Sequence, residues 1–222
     1  MLELHYYPSN ASQAPHILLH EIGVPFNKVL VDRAVQAHKS PAYLALNPNG
    51  LIPVLRDGDL VLYETAAICL HLVDTHAAAE LAPPVGTAAR AEFYKWLIWL
   101  TNTLQAMLIH YFYPDRMVEA GNADGAAQVR ALALMQIGPM LDQLDAHLAR
   151  HRQPWLLGAQ YGAVDAYAFM LCRWTRGFTG AAGSPKAPAR SRPHLGPYLQ
   201  RMLARPAVQR VLGDEGLSAP WV

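Results

Sequence analysis

The sequence predicts a small α/β domain followed by an all-α domain. Three observations carry this. Residues 1–78 alternate strand-like and helix-like pieces, residues 79–86 ("AELAPPVG") form a linker with two prolines and a glycine, and residues 87–222 keep a helical period throughout. At 222 residues the chain is long enough for two such domains, each with its own core.

Each element follows from local pattern. "LELHYY" reads as a strand. After "PSNAS" an amphipathic helix is predicted from about Gln13 to Glu21, stopping at Gly23, and "FNKVLVD" is a second strand. A short helical turn over Pro41 to Leu46 ends at Asn47-Pro48. "IPVLRDGDLVLY" is a hairpin, with Asp57-Gly58 as its turn signal. "ETAAICLHLVDTHA" is a helix, completing the order βαβ then ββα. Past the linker, "AARAEFYKWLIWLTNTLQAMLIHYF" predicts one long helix ending before Pro114. "AAQVRALALMQIGPMLDQLDAHLARH" predicts a second, kinked at Gly138-Pro139. "AVDAYAFMLCRWTRG" is a buried helix opened by Asp165, and "HLGPYLQRMLARPAVQRVL" is two helices broken at Pro206. The stretch 178–193, rich in Gly, Ala, Pro and Ser, reads as a mobile loop.

Composition excludes several classes of function. Half the residues are apolar and 16% are charged, so the chain is globular rather than disordered. Net charge is +1 and no Lys/Arg run appears; Lys186 to Arg192 comes nearest and is broken by Pro and Ser, so no nucleic-acid partner is expected. No stretch approaches the roughly 20 apolar residues that cross a bilayer. The opening "MLELHYYPSNAS" lacks the pattern of a signal peptide. Cys69 and Cys172 stand alone in apolar contexts without CxxC spacing and read as small buried side chains. A reduced, cytoplasmic setting is expected, with no metal.

The chemistry is concentrated in "ALNPNGLIPVLRDGDLVLYETAAICLHL". Pro53 lies between two apolar residues at the start of a strand, where a missing ladder donor is tolerated. A cis Ile52-Pro53 bond would turn the Ile52 amide and carbonyl outward, toward an extended peptide ligand; an ordinary trans proline is the alternative. The helix start at Glu64-Thr65 offers free N–H groups to a carboxylate, a hydroxyl donor and one acidic group for an amine. Amine and carboxylate together are the α-amino-acid end of a peptide. Simple capping by Thr65 is the plainer alternative.

"NPNGLIPVL" followed by "LYETAAICLHL" resembles the glutathione-binding segment of the glutathione transferase family, and "YGAVDAYAF" resembles that family's helical-domain folding motif. The resemblance spans essentially the whole chain. It implies a thioredoxin-like domain joined to a helical bundle and a cytosolic enzyme that takes glutathione as co-substrate with a small hydrophobic electrophile. A homodimer is also implied. Pro53 is then the cis proline, Ile52 pairs with the cysteinyl backbone, and Glu64 and Thr65 hold the γ-glutamyl group. His38 and Lys39 match positions at the glycyl carboxylate. Asp165 resembles the family's structural helix-start carboxylate, with Gly162 in place of its usual Ser or Thr.

The family activates a thiol whose free pKa of about 8.5 leaves only a few per cent ionised at neutral pH. "YYPSNASQAPHILL" is similar to the bacterial beta-class start, but the class cysteine falls on Ala11. Ser12 is the leading candidate for the thiolate partner, followed by Ser9 and Asn10, with Tyr6 expected to pack at the strand end. Ser12 is also a candidate helix cap. For the second substrate, met between the domains, the resemblance singles out His110, with Tyr111 and Tyr113 beside it. Glutathione-dependent disulfide or peroxide reduction and a non-catalytic ligand-binding module are the alternatives to conjugation; the electrophile itself is not legible.

Overall fold

The computed structural model describes residues 1–181, 184 and 186–222. It forms two compact units, one made of Met1–Pro84 with Leu203–Ala219 and the other of Val85–Met202 with Pro220–Val222. The chain therefore enters the first unit, leaves it and returns. That return differs from a division into residues 1–78 and 87–222, and its cause is a contact distant in sequence: the last helix packs on the first.

The first unit is built on a four-stranded sheet in the order β2-β1-β3-β4. Strand β1 (Leu2–Tyr6) pairs parallel to β2 (Phe26–Leu30) and antiparallel to β3 (Val54–Asp57), which forms a hairpin with β4 (Leu60–Tyr63). The hairpin turn closes on Gly58 at φ +58°, a conformation glycine takes without steric cost. The crossover between β1 and β2 is helix α1 (Gln13–Ile22), which buries Ala14, Ile17 and Leu18 completely. It ends as predicted, at Gly23 in the left-handed region, whose N–H bonds the Leu19 carbonyl at 3.1 Å. Helix α2 (Pro41–Leu44) is a single turn, and α3 (Thr65–Thr75) follows the hairpin.

The second unit opens with α4 (Ala88–Trp99), capped by the Thr87 hydroxyl on the Arg90 N–H. The long helix expected here is continuous in direction but not in type. Residues Leu100–Gln105 widen into a π segment before α5 (Ala106–Phe112) resumes. Helix α6 (Ala123–His151) starts at Asn122, whose Oδ1 accepts from the Gly125 N–H at 2.8 Å, and it runs unbroken through Pro139. The proline removes one backbone donor without ending the helix, and the Arg192 guanidinium donates to the neighbouring Gly138 carbonyl at 3.1 Å. Helix α7 (Ala163–Trp174) is buried on all sides as far as Arg173. Asp165, fully buried, accepts from the Gly162 and Leu156 amides at 2.9 Å each and from the Tyr198 hydroxyl at 3.0 Å. This carboxylate replaces the side-chain cap that Gly162 cannot supply.

Helices α8 (Leu195–Leu203) and α9 (Pro206–Asp214) end the chain's helices, with Pro206 in the first turn of α9. Of the loop expected to be mobile, residues 182, 183 and 185 lie outside the described residues. The C-terminal part of that loop is held by side-chain hydrogen bonds, in place of the mobility expected there. Arg192 is buried and bonds Asp142, Ala187 O and Pro188 O, while Arg190 donates to the carbonyls of Arg176 and Val222. No helix among the described residues is long and apolar enough to cross a membrane.

Candidate active site

Strand directions decide which residues meet. Because β1 runs antiparallel to β3, and β3 to β4, the end of β1, the start of β3 and the end of β4 share one edge of the sheet. Three segments leave from that edge: the loop from Tyr7 to Ala11, the Ile52-Pro53 dipeptide and the Glu64-Thr65 helix start. The Ile52-Pro53 bond is cis. An apolar cluster of Val31, Tyr43, Ile52 and Val54, with Tyr7, Ala37, Leu46 and Tyr63 against it, ties all three together.

Ile52 stands immediately ahead of β3, whose ladder with β1 ends at the His5–Val54 pair. Its position is set by the preceding carbonyl. The Tyr43 hydroxyl and the Asn47 amide each donate to Leu51 O at 2.8 Å. Asn47 is buried and its Oδ1 also accepts from the Asn49 N–H at 3.1 Å, making the turn that the "NPNG" spelling promises. Gly50 sits in that turn at φ +59°, and a Cβ there would lie 2.9 Å from the His38 carbonyl. His38 and Lys39 thus border the same turn, and the Lys39 ammonium donates to Asn49 O at 3.4 Å.

Glu64 takes φ 71° and ψ 113°, a backbone state costly for a residue with a Cβ. Its side chain is exposed and makes no cap bond to α3, whereas Thr65 behind it is buried. The first turn of α3 therefore presents open backbone donors beside an exposed carboxylate. A ligand carrying both a carboxylate and an ammonium finds a partner for each.

The loop before α1 is more constrained than the sequence suggests. Ser12 occupies the cap position but makes no cap bond. It is fully buried, and its hydroxyl donates to Tyr7 O at 3.1 Å while accepting the Tyr7 N–H at 3.3 Å. Asn10 and Ser9 are partly exposed, and Asn10 Oδ1 accepts from the Ala11 N–H. Tyr6 ends β1 as expected, its ring 5.7 Å from the Lys28 ammonium and 5.8 Å from the His16 ring. Ser9 has φ 58°, and its N–H donates to Glu215 Oε2 at 2.9 Å. Buried Glu215 also accepts from the Gln13 amide at 3.3 Å and pairs with His16 Nδ1 at 3.0 Å. Glu215 went unnoticed in the sequence, since no local pattern links it to a loop some 200 residues earlier.

In the helical unit, Tyr111 packs against Phe178 and Phe112, with ring centroids 4.9 and 5.0 Å away. It lines a cavity of about 640 Å³ with Leu134, Phe178, Arg130 and Lys186. His110 lies in the last turn of α5, and Tyr113 ends that helix under the Arg116 guanidinium at 4.1 Å. Of the three residues, Tyr111 reaches this cavity and the other two do not line it. Both cysteines are fully buried; burial raises the Cys69 thiol strongly and pushes Cys172 up to about 12. The protein's own sulfur is thus unsuited to chemistry at this edge.

Comparison with known proteins gives the family of this fold. Residues 8–75 match the model of the glutathione S-transferase N-terminal domain and residues 127–205 that of the C-terminal domain. The chain is 34% identical to glutathione S-transferase 3 of Zea mays, covering 91% of this chain and 89% of that protein. A glutathione transferase homologue from Sulfitobacter, solved with bound glutathione, superposes with a TM-score of 0.85 at 27% identity over 98% of this chain and 99% of its own. A bacterial beta-class glutathione S-transferase from Sphingomonas chungbukensis gives a TM-score of 0.80 at 30% identity, covering 97% of this chain and all (100%) of its own. With a thioredoxin-like unit carrying the cis proline and a helical unit beyond it, this chain belongs to the glutathione S-transferase family.

Proposed function

We propose that this enzyme binds glutathione along Ile52-Pro53 and the start of α3, and presents its sulfur as a thiolate to an apolar electrophile. The observation that carries the reading is Glu64. An exposed carboxylate on a strained backbone, beside open helix-start amides, suits the γ-glutamyl group, with Thr65 behind it. The cysteinyl backbone pairs with Ile52, and the glycyl carboxylate lies toward His38 and Lys39.

The thiolate partner is assigned to the loop that faces solvent. Asn10 Nδ2 is the leading donor and Ser9 the second; Ser12, committed to Tyr7, positions the loop, and Tyr6 supports its root. One hydrogen bond to the charged thiolate contributes about 1.5–3 kcal/mol, and the start of α1 adds about 0.3–1 kcal/mol. Together these lower the thiol by roughly 1.3–2.9 units, enough to make thiolate a major species near neutral pH. Catalysis then rests on proximity and on a stabilised thiolate. Tyr111, with His110 and Tyr113 on the same helix, is assigned to the second substrate. A cytoplasmic homodimer completes the proposal, on the habit of the family.

The test is the ultraviolet thiolate absorbance of bound glutathione against pH. Asn10→Ala should raise the apparent pKa by about 1–2 units, whereas Ser12→Ala should lower stability and leave the titration in place. A shift in Ser12→Ala alone would return the role to Ser12. Wild-type protein that binds glutathione without early ionisation would instead be a ligand-binding module.

A further inference from the structure

Behind the loop that carries Ser9, a second group of side chains has the makings of a metal centre. His16 and His20 stand one turn apart on α1, so their rings lie on one face, with centroids 5.2 Å apart. Asp214, the last residue of α9, faces both. Its Oδ2 lies 3.8 Å from His16 Nε2 and 3.5 Å from His20 Nε2. The side chain of His16 is completely buried, and neither Nε2 has a hydrogen-bond partner among the described residues. A buried ring nitrogen aimed into a small polar cluster without a partner is a cost that folding ordinarily avoids.

Glu215 explains which nitrogen is available. Its Oε1 lies 3.0 Å from His16 Nδ1, so Nδ1–H donates to the carboxylate and Nε2 carries the lone pair. A carboxylate behind a histidine, with the other ring nitrogen turned toward a shared centre, is the outer-shell arrangement that orients metal-binding imidazoles. The Phe26 ring stands nearly perpendicular to both histidine rings, with centroids 5.8 and 5.2 Å away.

We infer that His16 Nε2, His20 Nε2 and Asp214 Oδ2 form a three-ligand site for a divalent transition ion of the zinc class. The three atoms all lie within 4.8 Å of one another. A tetrahedral ion with bonds of about 2.0–2.1 Å needs ligand atoms about 3.3–3.4 Å apart. The two distances to Asp214 are already near that value. The two nitrogens lie within 4.8 Å of each other, and a small turn of His20, whose side chain is 15% exposed, brings them to the tetrahedral spacing. Asp214 is about one third exposed at 32%, which leaves an entry path and room for water as the fourth ligand. Lys28 now holds Asp214 Oδ2 at 2.9 Å and must move aside, so an ammonium and the ion compete for one carboxylate. The same competition gives the inference its sharpest test.

The probe is Co²⁺ added to untagged full-length protein, followed by its visible absorption and displaced by Zn²⁺. Wild type should bind saturably with the intense bands of a four-coordinate ion. His20→Ala and Asp214→Asn should each weaken binding by at least about tenfold, because loss of even an outer-shell partner costs about 10–100-fold. Lys28→Gln, an exposed change that removes the competitor, should tighten it. Binding that is absent in wild type, or that survives both ligand substitutions unchanged, overturns the site. Should the ligand variants fail to fold, Lys28→Gln decides: an affinity no tighter than wild type also overturns it.

Discussion

Asp165 offers a prediction whose size can be worked from geometry. Replacing it by alanine removes the acceptor for two buried backbone amides, Leu156 and Gly162, both bonded at 2.9 Å. The Tyr198 hydroxyl loses its bond as well, but it also lies 3.3 Å from the Asp165 backbone carbonyl and turns to it. Two donors are then left unpaired, at about 1–3 kcal/mol each. The expected loss is about 2–6 kcal/mol, a large share of the roughly 5–15 kcal/mol that holds a domain together. Asp165→Asn should cost less, since its remaining oxygen still accepts, although its amide meets the Gly162 N–H donor to donor. Urea unfolding followed by tryptophan fluorescence is the assay. All five tryptophans fall within the helical unit, so the signal reports that unit by itself. An Asp165→Ala variant within 1 kcal/mol of wild type, or an asparagine variant less stable than the alanine one, would refute the reasoning.

Three further outcomes can be checked. Burial holds His147 and His151 below the usual imidazole value of 6.5, despite the His147 bond to Leu156 O, so the unfolded chain takes up these protons more readily. Their stabilisation is present above the unfolded value and is lost as pH falls below about 6.5, and His147→Gln should flatten the decline of urea stability across that range. Neither Cys69 nor Cys172 should react with an aromatic disulfide reagent in the native protein, and both should react in denaturant; rapid native labelling would contradict their burial. Gly50→Ala should weaken glutathione binding by about tenfold, a loss near 1.4 kcal/mol. It strains a positive φ and drives a methyl toward the His38 carbonyl at 2.9 Å; isothermal titration reads the change, and unaltered affinity would separate that turn from the site.

What the sequence revealed, and what it hid, follows the range of the interactions. The stop of α1 at Gly23, the hairpin at Asp57-Gly58 and the start of α9 at Pro206 are local events, written in residues that restrict or free one dihedral. The cis Ile52-Pro53 bond, and its place on one sheet edge with Glu64 and Thr65, were legible because the strand order brings neighbours in sequence together there. The π segment at Leu100–Gln105 was not, since its side chains keep a helical pattern, and one of them, Gln105, accepts a bond from Tyr167 that only the packed bundle supplies. Pro139 lies inside a helix that continues past it, so a residue that usually ends or bends a helix marks no boundary here. Ser12 shows the limit most clearly. Its identity and spacing suit a thiolate partner, yet which way a hydroxyl points depends on Tyr7, and that depends on the loop's anchorage to Glu215.

The return of residues Leu203–Ala219 to the first unit bears on the order of events at the ribosome. Synthesis is vectorial, and domains emerging first usually fold first. Here the early unit must wait. When its sheet has left the exit tunnel, His16 still lacks the Glu215 carboxylate that lies 199 positions further on, and Glu21 lacks Arg205, 184 positions on. An imidazole destined for complete burial stays without its acceptor until the helical segment between has been made. The amino-terminal unit is thus begun early and finished late, and the edge proposed to take glutathione matures only after Glu215 has been translated.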